Sequence, residues 1–194
     1  RNELVQLSFT FLGFEVGRME FTPSEGLLVE LYYDRVNIDY VVRYLESITG
    51  KVLYEEKHAS GIFGEQIVEY APGLTHIGYK LASDSVKQLN LSTNADLNVI
   101  EFYYIESEYQ IKYEIVGAGD GATLSMTSEY VNAVSGDPIG SQPYLKSGYH
   151  FDGWFLDTAC TQPVPKEWVD PSNNNLVPQR EGIWLSNKTY YAKV

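Results

Sequence analysis

The stretch Ile115-Val116-Gly117-Ala118-Gly119-Asp120-Gly121 follows a run of β-type residues, and its spacing invites a phosphate. A Gly-x-Gly turn lets backbone amides approach a pyrophosphate when a helix opens directly behind it. Here the glycines run Gly-x-Gly-x-Gly, and no βαβ unit follows, so a glycine-rich turn is the expected outcome. His58, His76 and His150 are far apart, and none carries partners at metal-ligand spacing, so they are expected to be structural. Cys160 is the only cysteine; it excludes an internal disulfide and any multi-cysteine metal site, and no histidine lies near to activate it. Glu55-Glu56 are adjacent, so on a strand they face opposite sides and cannot flank one bond. Asn90-Leu91-Ser92 and Asn187-Lys188-Thr189 match a glycosylation sequon. No nucleophile–base pair, cofactor cradle or metal-ligand set stands out, and the expectation is a non-catalytic module with no cofactor.

Composition narrows the partners. The 194 residues carry a net charge of −12, which repels phosphate backbones and anionic lipid. No basic patch offsets this, so nucleic acid is not an expected partner. No window approaches roughly 18 consecutive apolar residues, so direct membrane insertion is not expected. The chain opens at Arg1 with no Met, which suggests a fragment of something longer, and the fragment is expected to be monomeric. With 16 Tyr, eight Phe and three Trp among β-branched residues and Gly punctuation, it reads as sheet.

The elements repeat. Val29-Glu30-Leu31-Tyr32-Tyr33 recurs as Ile100-Glu101-Phe102-Tyr103-Tyr104, and Asp39 to Tyr44 recurs as Glu108 to Tyr113, a period of about 70 residues. Leu12-Gly13-Phe14 corresponds to Ile77-Gly78-Tyr79, and the last third has its own Ser147-Gly148-Tyr149. The expected division is a partial or shortened unit over 1–36, a complete unit over 39–107, and a longer, diverged unit over 108–194. In the partial unit, Leu7, Phe9 and Phe11 alternate as one strand face, which favours a unit that closes on itself with Phe9, Phe11, Phe14 and Leu31 as a small core; the alternative is that its strands add to the neighbouring unit's edge or to a second chain. Within the complete unit, Tyr40, Val42 and Tyr44 form one face of a strand, Ser47 to Lys51 turns, and Val52 to Lys57 is expected to return. Gln66 to Tyr70 fits a short helix or an irregular strand equally well. Tyr79 to Ala82, Val86 to Leu91 and Val99 to Tyr104 read as strands. That element order belongs to a β-grasp domain, so the fold class expected is mostly β or α+β, with tandem small β-grasp (ubiquitin-like) domains in an elongated array. The joints, Asp34 to Asn37 and Ile105 to Ser107, are short and lack Gly and Pro, so they should be stiff.

The unit from Tyr40 to Tyr104 resembles the mucin-binding-protein (MucBP) repeat of Gram-positive cell-surface proteins. The resemblance rests on Val42 to Tyr44, on Gly61-Ile62-Phe63-Gly64-Glu65, on Gly78-Tyr79 and on Val99 to Tyr104. Residues 109–194 resemble the Listeria–Bacteroides repeat, also called the internalin B-repeat. That likeness lies in Gly148-Tyr149-His150-Phe151-Asp152-Gly153-Trp154-Phe155, in Asp157-Thr158-Ala159-Cys160 and in Thr189 to Lys193. The usual ending Tyr-Ala-Lys-Trp finishes here in Val194, and the connection Gln162 to Gly182 is longer than usual. Both families are β-grasp modules of bacterial adhesins. The resemblance implies an extracellular, cell-wall-attached chain that binds host mucin or another glycoprotein or carbohydrate, or presents an adhesive domain. The alternatives are a pure structural stalk and an accessory module of a secreted glycan-acting enzyme.

Aromatic faces stack on sugars and also fill cores. Tyr32, Tyr103 and Tyr190 stand on closing strands and are expected as core and packing residues, and Trp154 as buried. Trp168, among Pro163, Pro165 and Pro171, is the aromatic expected at the surface and the single candidate for ligand contact.

Overall fold

The computed structural model describes residues 36–194 and, ahead of them, the backbones of β1 (Val5–Phe11) and β2 (Phe14–Phe21). The chain divides into two compact units, Arg1–Arg35 and Val36–Val194. In the first, β1 and β2 pair antiparallel from Val5 opposite Phe21 to Phe11 opposite Phe14, with a bulge between Phe9 and Thr10. The expected strand at Val29 to Tyr33, and the packing of Phe9, Phe11, Phe14 and Leu31, lie outside the described residues.

The second unit is mostly β and holds two four-stranded sheets. One contains β3 (Asn37–Glu46), β4 (Lys57–Ile62), β6 (Tyr79–Leu81) and β8 (Val99–Glu106), in the order β4-β3-β8-β6. Its central pair, β3 and β8, is parallel, and its outer pairs are antiparallel. β5 (Gln66–Tyr70) and β7 (Val86–Asn90) form a separate antiparallel ribbon. The other sheet contains β9 (Glu108–Val116), β11 (Ser128–Asn132), β13 (Gly153–Phe155) and β14 (Lys188–Lys193), in the order β11-β9-β14-β13. Its central pair, β9 and β14, is again parallel, and a ribbon of β10 (Ala122–Leu124) and β12 (Pro143–Leu145) accompanies it. Among the described residues there is no α-helix; the helical content is three short 3₁₀ turns.

Period two explains both cores. Tyr40, Val42 and Tyr44 of β3 and Ile100, Phe102 and Tyr104 of β8 point to one side and are buried with Leu74, Tyr79 and Leu91. Ile111 and Tyr113 of β9 meet Tyr190 and Ala192 of β14 with Trp154, Trp184 and Leu176. The two cores carry matching ring pairs: Tyr44 stacks on Phe102 with centroids 6.1 Å apart, and Tyr113 on Tyr190 at 6.2 Å. Each pair is also a register pair of the parallel ladder.

Gln66 to Tyr70, equally a helix or a strand on sequence, is the strand β5. Ile67 and Glu69 face inward, and Gln66, Val68 and Tyr70 face out. The alternation is hidden in the sequence because Glu69, a carboxylate, takes a core-facing position. It is 7% exposed and accepts hydrogen bonds from Tyr40 Oη at 2.7 Å and Lys57 Nζ at 2.7 Å. Burying it unpartnered would cost several kcal/mol, so the partners are what permit the strand.

The return of the first hairpin also differs from expectation. Leu45 bridges Val52, but Val42 pairs with Lys57, so three steps along β3 match five on the returning chain. The excess lifts Glu55-Glu56 out of the ladder, and regular pairing begins at Lys57, not at Val52. Glu56 then reaches Arg43.

Only Ser107 separates β8 from β9, and both its backbone groups are used: its N–H donates to Gly78 O and its carbonyl accepts from Ala133 N–H, each at 2.8 Å. Glu106 accepts from the backbones of Val134 and Ser135 and from the Ser135 hydroxyl. Gly78 is left-handed at φ 87°, and a Cβ there would stand 2.9 Å from Val134 Cγ2 and 3.0 Å from Ala133 Cβ.

Gly78→Ala should therefore strain both the turn and the joint, costing about 1–3 kcal/mol in urea unfolding. A second expectation concerns alkali. Burial, followed by the hydrogen bond to Glu69, pushes Tyr40 up to about 12. Burial also pushes Tyr104 and Tyr190 up to about 12, and it raises Tyr113, with a hydrogen bond to Glu129 adding to the effect. These groups sit above their ordinary value near 10 in the folded state, so their stabilisation is complete below about pH 10 and is lost as pH rises towards 12. Phenolate absorbance should show them ionising together with unfolding; ionisation at pH 10 in the folded chain would contradict the packing.

Candidate functional site

The chemistry-bearing side chains are dispersed, and their local structure says why. Gly117 to Gly121 forms a turn closed by Gly121 N–H donating to Ala118 O, and the Asp120 side chain pairs with Lys146 at 3.4 Å. A carboxylate at the turn opposes a phosphate. His58 is exposed and faces Glu56 at 3.7 Å, and His150 is exposed and faces Asp152 at 3.7 Å. These two histidines thus each have one carboxylate two residues away, His76 lies on the 3₁₀ turn Thr75–Ile77, and no group of three or more ligating side chains occurs among the described residues. Cys160 is half-buried at φ 54°, in a loop whose Asp157 carboxylate accepts from Thr161 and Gln162. Those bonds, led by the one from Gln162 N–H, hold Asp157 below the usual carboxylate range. Arg43 Nε binds the Glu56 carboxylate at 2.8 Å. Of the two sequons, Asn90 is exposed on β7, whereas the Asn187 side chain accepts from Gln110 N–H at 2.8 Å.

Trp168 differs from its expected exposure. It is half-buried on a 3₁₀ turn (Lys166–Trp168), its ring edge-on to Tyr190 with centroids 6.2 Å apart. The long connection Gln162 to Gly182 is the roof of the second core: Val164, Leu176 and Pro178 are buried from it. Its Asn173-Asn174-Asn175 turn has a purpose as well. Asn174, left-handed at φ 59°, offers its carbonyl to Trp154 Nε1 at 2.9 Å, satisfying the indole of a buried tryptophan. Beside it runs a shallow groove of about 450 Å³ that includes Phe151, Trp154, Pro163, Lys166 and Pro171 in its lining.

The residues that do converge lie on the outer face of the first sheet. The parity that buries Ile100, Phe102 and Tyr104 turns Glu101 and Tyr103 outward, so Tyr103 is half-exposed and not a core residue. It is also not the counterpart of Tyr190, because the register partners of the two parallel ladders equate Phe102 with Tyr190. A one-residue shift along a strand changes the face. On β3, Arg43 stands opposite Glu101. The guanidinium lies between Glu56 at 2.8 Å and Glu101 at 3.6 Å. Tyr103 Oη donates to Glu101 Oε2, and that bond, then the carboxylate charge, pushes the phenol up and keeps it a neutral donor. From the ribbon, Lys87 Nζ donates to Glu101 O at 2.6 Å and lies 5.6 Å from the Tyr103 ring centroid. The turn before β8 brings Asp96, and Asn98, 2% exposed, locks that turn through two bonds to Ser92. Arg43, Lys87, Gln88, Asp96, Glu101 and Tyr103 thus surround an open groove of about 470 Å³. It juxtaposes an aromatic ring with planar hydrogen-bonding groups of both kinds, which suits non-covalent recognition. Reading Glu101 and Tyr103 by strand parity would have found half of it; Lys87 and Asp96 come from other elements.

No protein-family model matches the sequence, and comparison with curated proteins returns no match.

The ion pairs rimming the groove are partly exposed, so each contributes little: the Glu101→Gln variant should lose less than about 1 kcal/mol in urea unfolding. A loss of several kcal/mol would mean that Glu101 is a structural keystone and not a surface group.

Proposed function

We propose that residues 39–107 and 108–194 are tandem β-grasp modules, preceded by a shortened unit over 1–36, in a non-catalytic, extracellular, cell-wall-attached repeat region of Gram-positive type. Its role is adhesion to host mucin or another glycoprotein, or presentation of an adhesive domain. The observation that carries this reading is the twice-repeated strand order, in which a hairpin strand, the first strand, the last strand and the third lie side by side. Matching ring pairs, Tyr44 with Phe102 and Tyr113 with Tyr190, support a common origin for the two halves. In the first half a β-ribbon covers the sheet where a β-grasp domain ordinarily carries its helix, and in the second half the long connection does so.

A structural stalk is the second reading, and the single-residue joint at Ser107 favours it, since tied backbones suit a spacer. The test is surface plasmon resonance of the full 194-residue chain over immobilised mucin. Saturable binding is expected. Absence of binding to mucin and to other matrix glycoproteins would leave the stalk, and turnover of a glycan that a single substitution abolishes would remove the non-catalytic reading.

A further inference from the structure

We infer that the groove between Arg43 and Tyr103 is a subsite for a neutral pyranose unit of a glycan, a deeper claim that rests on the adhesive reading for its biological ligand. A sugar ring offers a patch of C–H groups and a rim of hydroxyls that both donate and accept. Its receptor therefore needs an aromatic surface flanked by planar polar groups of both kinds. The groove supplies Tyr103 as the surface, Arg43 and Lys87 as donors, Asp96 as acceptor and Gln88 as both. Arg43 commits two of its nitrogens to Glu56 and Glu101, and a guanidinium has five N–H donors. About 470 Å³ falls within the range of small-ligand clefts, roughly 300–1,000 Å³.

Charge selects the ligand class. Arg43 and Lys87 balance Asp96 and Glu101 across the lining, within a chain of net charge −12. An anionic sugar gains no local attraction there and meets repulsion from the rest of the molecule. A neutral, hydroxyl-rich ring meets neither. The groups are also held before any ligand arrives. Glu101 fixes Arg43 and the Tyr103 hydroxyl, Lys87 is tied to the Glu101 carbonyl, and the Asp96 turn is pinned by Asn94 and Asn98. Pre-set side chains lose little freedom on binding.

The test is saturation-transfer NMR with the full chain, using N-acetyllactosamine and maltose as neutral probes and 3′-sialyllactose as the anionic one. A neutral probe should bind, and more tightly than the sialylated one. Tyr103→Ala should weaken it by more than about tenfold, and Tyr103→Phe, which keeps the ring, by less than about threefold. Asp96→Ala, at an exposed turn, should weaken it as well and serves if Tyr103→Ala does not fold. Tyr130→Ala, at an exposed tyrosine of β11, should change nothing. Failure of both neutral probes to bind, preference for the sialylated one, or affinity indifferent to Tyr103→Ala and Asp96→Ala would each overturn the subsite. Immobilised mucin separates the two claims. Mucin binding that ignores these variants overturns the subsite and leaves the adhesive reading. Sugar binding by a chain that binds neither mucin nor another matrix glycoprotein upholds the subsite and removes that reading.

Discussion

One buried carboxylate sets the architecture of the first half of Val36–Val194. Glu69 turns inward from β5 and is met by Tyr40 from the central sheet and by Lys57 from the hairpin. Those bonds fasten a two-stranded ribbon over the apolar face of the sheet. With the ribbon fixed, Lys87 on β7 reaches the edge of β8, where β6 has already stopped, and caps the Glu101 carbonyl. Ser83 and Ala82 cover the next groups along the same edge. The open edge of a central strand is thereby closed by side chains and loop backbone, and the same lysine becomes one wall of the groove.

The second half solves the same problem with other parts. Tyr113 donates to Glu129 at 2.6 Å, and Glu129 also accepts from Ile139 and Gly140 N–H, so the carboxylate ties a turn and not a ribbon. Its core is roofed by the long connection, with Trp154 and Trp184 each donating the indole N–H to a backbone carbonyl. Larger aromatic rings and an irregular roof replace the regular ribbon cover. Equal sheets under unequal roofs account for the ease of matching the two repeats at Tyr40 to Tyr44 and for their divergence afterwards.

The central strands were legible because period two is unbroken there: Tyr40, Val42 and Tyr44, and then Ile111 and Tyr113, show their buried face in the sequence. Strand parity failed where a charged group was the inward residue, as at Glu69, or where a bulge changed the count, as between Val52 and Lys57. The Gly-Tyr correspondence also misled. Gly78-Tyr79 opens β6 directly, whereas Gly148-Tyr149 is a turn four residues ahead of β13, with Tyr149 lying over Gly121. Trp168 is less exposed than prolines at a surface loop suggest, because buried Val164, Leu176 and Pro178 anchor the loop and its ring packs edge-on against Tyr190. The groove was half visible. Arg43, Glu101 and Tyr103 share one outward face by parity, but only tertiary structure brings Lys87, Gln88 and Asp96 beside them.

The parallel central pairs have a mechanical meaning. In a unit entered at Asn37 and left at Glu106, β3 and β8 run in the same direction and lie side by side. Tension on the two ends pulls these strands lengthwise past each other. All the hydrogen bonds of the ladder then share the load, and none can be peeled away in turn as they would be in a hairpin pulled from its open end. The same holds for β9 and β14, entered at Glu108 and left at Lys193. With Ser107 alone between them, little slack separates one loaded ladder from the next. Resistance to such pulling is set by the barrier to unfolding and not by the equilibrium stability. A modest core held by two shear-loaded ladders can therefore withstand forces that its free energy of folding alone would not suggest.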